Sequence, residues 1–277
     1  MPQKIIVSLT TTPQRIKYLD KTLEIIKAQS LQPDSIELNL PNEYRRANFG
    51  AVNIDLIPAG YAIFRCDDYG PATKLIPTLE RYANTDTLII FCDDDRMYDV
   101  NWLKRLVMTY NENPGCCIIE EGTDILYFCQ KTIRKNWKYR VKRLLSFLIW
   151  KPRNKREKPD LAESWGGILV TSQMFDKTVS CIPKEFLFQD DIWFSAKLAQ
   201  ARVPLVWTGR LLSESSSPLI VDGIDVASAE GALNTSIFEG KNRNQINLTC
   251  IAYALEQMGV WLQWKNKVWK YVNGYQR

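Results

Sequence analysis

Between Lys4 and Glu120 the chain alternates between short apolar runs and longer segments whose apolar residues recur at helical spacing. "KIIVSLT" (4–10) reads as a buried strand. Thr12 and Pro13 then look like a helix start, a hydroxyl cap followed by proline in the first turn, with Ile16, Leu19, Leu23 and Ile26 on one face. "SIELNLP" (35–41) alternates like a strand and stops at proline. "AIFRC" (62–66) is a third strand candidate. The segment 72–82 reads as a helix with Pro77 near its start or kinking it. "TLIIFC" (87–92) is a continuous apolar run of the kind buried on both faces. An amphipathic helix over 100–115 and a strand at 116–120 follow. This alternation predicts an α/β fold with a mostly parallel sheet. Further strands are expected at 168–171 and 204–208, a helix after Asp191, and one long helix or two over 241–271.

In such sheets ligands collect at the carboxyl ends of the strands. Three polar clusters follow predicted strands, "TTTPQR", "DDYGPATK" and "DDDR", and should crowd one edge. The third is the most informative. Asp93, Asp94 and Asp95 repel one another and gain from a nearby cation. In extended backbone Asp93 and Asp95 point the same way and can share a divalent ion, while Asp94 faces elsewhere. Taken alone, the cluster also suits an acidic cap on the helix near Val100. Asp190 and Asp191 equally suit a helix N-cap, and Asp67 and Asp68 a turn.

The chain of 277 residues contains no histidine. That excludes His-based nucleophilic catalysis and His-ligated zinc. A bound metal must be held mainly by oxygen, which points to Mg2+ or Mn2+, and a general base is expected to be a carboxylate. The seven cysteines lack CxxC spacing. A reducing compartment is expected, with Cys66, Cys92, Cys181 and Cys250 as small core residues. No signal peptide or membrane-spanning run is read from the sequence. Asn234 and Asn247 head glycosylation sequons, which matter only in a secretory compartment.

The clusters, in order, resemble the GT-A fold nucleotide-sugar glycosyltransferases, of the family-two-like kind that builds bacterial or viral polysaccharides. A buried strand ending in Asp-x-Asp resembles their metal site, the DXD motif. "VSLTTTPQRI" resembles their first strand and loop, which implies that Thr10, Thr11 and Arg15 face the nucleotide. "CDDYGPATKL" resembles a segment whose aspartate contacts the nucleotide, here Asp68, and whose lysine faces the phosphates, here Lys74. "ESWGG" resembles the acceptor loop, implying Glu163, Trp165, Gly166 and Gly167. "QDDIW" resembles the acidic pair that supplies the base of inverting members, implying Asp191 with Asp190 beside it. The resemblance covers residues 4 to about 210. It implies a GT-A, Rossmann-like sheet and a hexosyltransferase-type enzyme that uses Mn2+ or Mg2+ at Asp93 and Asp95. The same cluster implies nucleotide contacts from Asp93 and Asp94, a nucleotide-diphosphate sugar as donor, and a glycan or lipid-linked acceptor.

The net charge of +5 is unevenly placed. Residues 131–158 hold twelve basic residues and one acid, a net +11, so the rest of the chain sums to −6. Trp137, Val141, Leu144, Leu145 and Leu148 lie there at helical spacing between lysines and arginines. A basic amphipathic helix reads as a membrane-surface element, or as a solvated insertion packed on the body. The division expected is a catalytic domain over 1–240, carrying the insertion 131–158, and a C-terminal helical extension over 241–277. The working place expected is cytoplasmic, peripheral at the inner face of a membrane. A sugar nucleotidyltransferase is the rival enzyme, but "TTTPQR" lacks the glycine-rich loop such enzymes use. A membrane- or nucleic-acid-binding protein built on 131–158 leaves the acidic clusters unexplained.

Overall fold

The computed structural model describes residues 3–46, 49–50, 52–133, 159–210, 214, 216–228, 240 and 242–275. Its centre is a seven-stranded sheet. The strands are β1 (Ile5–Leu9), β2 (Ser35–Pro41), β3 (Ala62–Cys66), β4 (Leu88–Phe91), β6 (Cys117–Ile119), β9 (Ile168–Val170) and β10 (Leu205–Trp207), in the order β10-β6-β9-β4-β1-β2-β3. Short ribbons account for the other strands: β5 (Arg96–Met97) with β11 (Ser217–Pro218), β7 (Gly122–Thr123) with β8 (Leu161–Ala162), and β12 (Ile220–Val221) with β13 (Ile224–Asp225). All main-sheet pairings are parallel except those of β9, which runs antiparallel between β4 and β6. The expected α/β class and mostly parallel sheet are thus present.

Every residue of β4 is at most 1% exposed, because helices and loops cover both faces of the sheet. That is why its sequence is uniformly apolar instead of alternating. Helices α1 (Leu19–Lys27), α2 (Ile76–Arg81), α3 (Trp102–Glu112), α4 (Ile125–Ile133), α5 (Asp190–Gln200), α6 (Arg243–Glu256) and α7 (Lys265–Tyr275) complete the fold. The C-terminal segment is two helices, and Ile246, Leu248 and Ile251 of α6 belong to the same apolar cluster as β4 and β6. Among the described residues no helix is long and apolar enough to cross a membrane.

Two polar devices set the sheet edge. Ser8 of β1 is fully buried; its hydroxyl donates to the Lys74 carbonyl at 2.6 Å and pairs with the Thr78 hydroxyl at 2.7 Å. Arg81 of α2 reaches the Glu37 carboxylate at 2.7 Å and the Asn39 amide oxygen at 2.8 Å. These bonds pin the segment 70–81, and with it Lys74, over the ends of β1 and β2. Pro77 sits in the first turn of α2, where its missing N–H costs nothing.

Two local expectations change. The first helix does not start at Thr12–Pro13. A 3-10 turn over Ile16–Tyr18 leads into α1 at Leu19, and neither start has a side-chain cap. The chain stays irregular over 10–15 because Thr11 and Arg15 are drawn to Asp94. Cys181 is exposed and Cys66 half-buried, so of the four cysteines expected in the core only Cys92 and Cys250 lie there. The amphipathic reading of Trp137 to Leu148 lies outside the described residues.

Candidate active site

β1, β3 and β4 deliver their following loops to one side of the sheet, as their parallel pairing requires. The loops meet the N-terminus of α5 and the turn before β9 around one cavity of about 240 Å³. Thr10, Thr11, Arg15, Asp68, Lys74, Asp93, Asp94, Asp95, Trp165, Asp190 and Asp191 all line it. Residues about 180 positions apart in sequence therefore share one space.

The three aspartates do not alternate as an extended strand would, because β4 ends at Phe91 and Asp94 and Asp95 lie in a turn. Each has a different partner. Asp94 accepts hydrogen bonds from the Thr11 hydroxyl at 2.6 Å and from Arg15 Nη1 at 2.9 Å. The same Nη1 is 2.9 Å from Asp95 Oδ2. Burial would lower the Arg15 pKa, but Asp94 and Asp95 outweigh it and push it up. Asp95 Oδ1 is buried and accepts no hydrogen bond; the nearest ion-pair donor, Arg96 Nε, is 3.6 Å away. Burial, then Asp93 and Asp94, push the Asp95 carboxyl up to about 7. Asp94 thus turns toward the site, against the expectation that it faces elsewhere.

Asp93 is ion-paired with Lys74. Burial would raise its pKa, yet the ammonium group holds it below the usual carboxylate range. Lys74 is only 4% exposed. Its Nζ also lies 3.0 Å from Asp190 Oδ2 and donates to the Ser164 hydroxyl at 2.8 Å. Burial would lower the Lys74 pKa, but Asp190 and Asp93 raise it well above the ordinary value. The Ser164 backbone N–H donates to Asp191 Oδ1 at 2.9 Å. Lys74 and Ser164 therefore link the end of β4 to the start of α5. Asp191 lies half-buried on the cavity wall, where burial, then Asp190, push its carboxyl up to about 7. Neither aspartate caps α5; they occupy its first turn, after Gln189.

Asp68 bridges two loops, accepting from the Arg45 and Gly70 backbone N–H groups at 2.7 Å each. Thr10 donates to the Asn39 carbonyl at 2.7 Å. Trp165 presents a half-buried ring, with the Arg96 guanidinium 4.9 Å from its centroid.

Glu163, Gly166 and Gly167 are not on the cavity wall. A Cβ on Gly166 would lie 2.6 Å from the Glu121 side chain, and one on Gly167 2.5 Å from Trp102. These glycines serve close packing behind Trp165. Gly167 also has φ +91, a conformation that other residues adopt at a cost. Gly167→Ala is therefore expected to cost about 2–3 kcal/mol, from strain and overpacking together. A denaturant titration will read this, and a loss below about half that value would contradict the packing account.

Sequence reasoning missed several wall residues: Tyr44, Arg46, Phe49, Phe188, Arg96, Ser164 and Arg243. Tyr44 donates to the Thr11 carbonyl at 2.9 Å. The Arg46 guanidinium lies 4.6 Å from the Phe49 ring centroid and 5.7 Å from that of Phe188. Tyr44 to Phe49 follow the end of β2, so the strand-end rule that located Thr10 and Asp93 could have found them. Nothing local marks Arg243, the first residue of α6.

No family model matches the chain. Over 114 residues the chain is 24% identical to the glucosyl-dolichyl phosphate glucuronosyltransferase of Haloferax volcanii. That match covers 41% of this chain, which spans only 36% of the length of that relative. The fold is similar to S. aureus TarS 1–349 in complex with UDP-GlcNAc, with 12% identity and a TM-score of 0.49 over 92% of this chain and 66% of that one. It is also similar to the same protein in complex with UDP, with 10% identity and a TM-score of 0.46 over 91% and 71% of the two chains.

Proposed function

We propose that this chain is a GT-A-type glycosyltransferase. It moves a sugar from a nucleotide-diphosphate donor to a hydroxyl of a glycan or lipid-linked acceptor, with inversion at the anomeric carbon. The observation that carries this reading is the meeting of two acidic groups, Asp93 to Asp95 and Asp190 to Asp191, across one cavity that also holds Arg15 and Trp165. The name of the Haloferax relative, a sugar transferase acting on a lipid phosphate sugar, supports the same class.

The donor set fits a hard divalent cation. Asp95 Oδ1 is buried with no hydrogen bond, and Asp93 lines the same space. Magnesium and manganese commonly bind one or two carboxylates and complete their shell with substrate phosphates. Asp93 and Asp95 would hold Mn2+ or Mg2+, which supplies Lewis-acid stabilisation of the departing diphosphate.

The chain's own residues do the rest. Asp191 takes the proton from the acceptor hydroxyl. The freed oxygen attacks the anomeric carbon from the face opposite the diphosphate, and the sugar–phosphate bond breaks with its electron pair going to the diphosphate. Asp190, tied to Lys74, positions α5 and keeps the second carboxylate out of the proton's path. Arg15 orients Asp94 and Asp95 and adds positive charge beside the phosphates. Thr10, Thr11 and Asp68 face the nucleotide, and Trp165 offers a flat ring to the acceptor sugar.

Thermal shift with a panel of nucleoside diphosphates, in Mn2+ or in EDTA, tests the donor site. The matching nucleotide at a hundredfold excess over Kd is expected to stabilise the protein by about 2.7 kcal/mol in Mn2+. EDTA or Asp95→Ala is expected to weaken binding tenfold or more. Equal binding with and without metal, unchanged by Asp95→Ala, would remove the metal assignment. We place the working enzyme at the cytoplasmic face of a membrane, with residues 131–158 contributing positive charge.

A further inference from the structure

Positive charge in this chain is segregated more strongly than residues 131–158 alone suggest. Residues 241–277 hold six basic residues and one acid, a net +5. With +11 in 131–158 and +5 overall, the remainder of the chain carries −11. The two basic segments lie more than 80 residues apart, yet the fold joins their roots. α4, whose last residue immediately precedes residue 134, packs against both α6 and α7.

α7 is amphipathic in an unusual way. Val268 and Val272 are buried against the body, while Lys265, Lys267 and Lys270 are exposed. The helix carries neither an acid nor an arginine. Trp269 and Tyr271 sit half-buried, between the inward valines and the outward Lys267 and Lys270. Leu262, in the 3-10 turn just before α7, is 54% exposed. Beside it Trp264 is half-buried, with its indole N–H bonded to Asp160 at 2.9 Å and Lys267 Nζ 5.4 Å from its ring.

We propose that the outer face of α7, together with Leu262, docks on an anionic lipid bilayer. Lysine heads on long stems can reach lipid phosphates while half-buried aromatic rings and one exposed leucine enter the headgroup boundary. Nucleic acid would be better met by arginine, whose fork matches phosphate bidentately, and α7 has none. α6 starts at Arg243 on the cavity wall and rises for about 21 Å toward the turn that begins α7. Docking through α7 would therefore hold the cavity at a set height above the lipid. This proposal stands apart from the assigned reaction, because lipid binding and nucleotide binding are read separately.

Flotation of the full chain with neutral phosphatidylcholine vesicles, and with vesicles that also contain phosphatidylglycerol, tests it. The wild type is expected to float only with the anionic vesicles, less so in high salt. Each lysine near an anionic surface is worth about fivefold in partitioning. Lys265→Gln, Lys267→Gln and Lys270→Gln combined should then reduce partitioning about a hundredfold. Leu262→Asp, a single exposed change, should also reduce it and serves if the triple variant folds poorly. Tm and nucleotide binding should stay at wild-type values in the soluble variants. The proposal is overturned by wild-type partitioning in both variants, including the case in which only deletion of 134–156 abolishes flotation. It is also overturned if the wild type ignores anionic vesicles, or if α7 captures a single-stranded oligonucleotide instead of lipid.

Discussion

Lys74→Met is expected to cost about 3–5 kcal/mol of folding stability, the usual cost of stripping one partner from a buried ion pair, and to abolish transfer. Lys74 is 4% exposed and answers two carboxylates, Asp93 and Asp190. Methionine fills similar volume, so the loss reports charge and not a cavity. Adding Asp190→Asn to Lys74→Met removes one of the stranded charges and is expected to return part of the loss. Denaturant titrations of the two single variants and the double variant measure that coupling. A single-variant loss under about 1 kcal/mol, or strict additivity in the double variant, would show that Lys74 does not bind the two acidic groups together. The resemblance assigns Lys74 to the donor phosphates. In the structure its charge is answered inside the protein by Asp93 and Asp190, so it ties the end of β4 to the start of α5.

Asp191→Asn is expected to reduce transfer by about 10³-fold or more, within the range for loss of a general base, while leaving nucleotide-diphosphate affinity unchanged. The wild-type rate should rise with pH through about 7, the value to which burial and Asp190 bring this carboxyl, because only the carboxylate accepts the proton. The stability sign runs the other way. The folded pKa lies above the unfolded value of about 3.9, so the group favours the folded state at low pH, and that contribution falls as pH rises from about 4 to about 7. Asparagine cannot ionise. The variant is therefore expected to be at least as stable as the wild type at pH 8, and to lose this part of the pH dependence. Retained transfer, or a rate flat across pH 6 to 8, would take the base role from Asp191.

Much of the sheet was legible because buried strands leave a compositional trace. The runs at 35–41 and 62–66 match β2 and β3 residue for residue, and the run at 87–92 contains β4. The rule that parallel strands present their carboxyl ends together placed Thr10, Asp68, Lys74 and Asp93 on one wall. The first helix was misplaced because Thr12 and Pro13 look like a cap only to a local reading. The tertiary demand of Asp94 on Thr11 and Arg15 keeps that loop out of the helix. The resemblance implies Gly166 and Gly167 in an acceptor loop, whereas in the structure both pack closely, Gly166 on Glu121 and Gly167 on Trp102.

By itself the sequence determined the α/β class, the central buried strand and the residue types available for chemistry. Those follow from local periodicity and from a chain without histidine, which leaves carboxylates to act as metal ligands and bases. Only the tertiary structure decided the partners. Asp94 belongs with Arg15, Asp93 with Lys74, Asp191 with the Ser164 N–H, and Asp95 keeps one buried oxygen without a hydrogen bond. Charges of one sign look alike in a sequence. Which cation each one meets is set by where distant loops close over the sheet, and that geometry is a property of the packed chain.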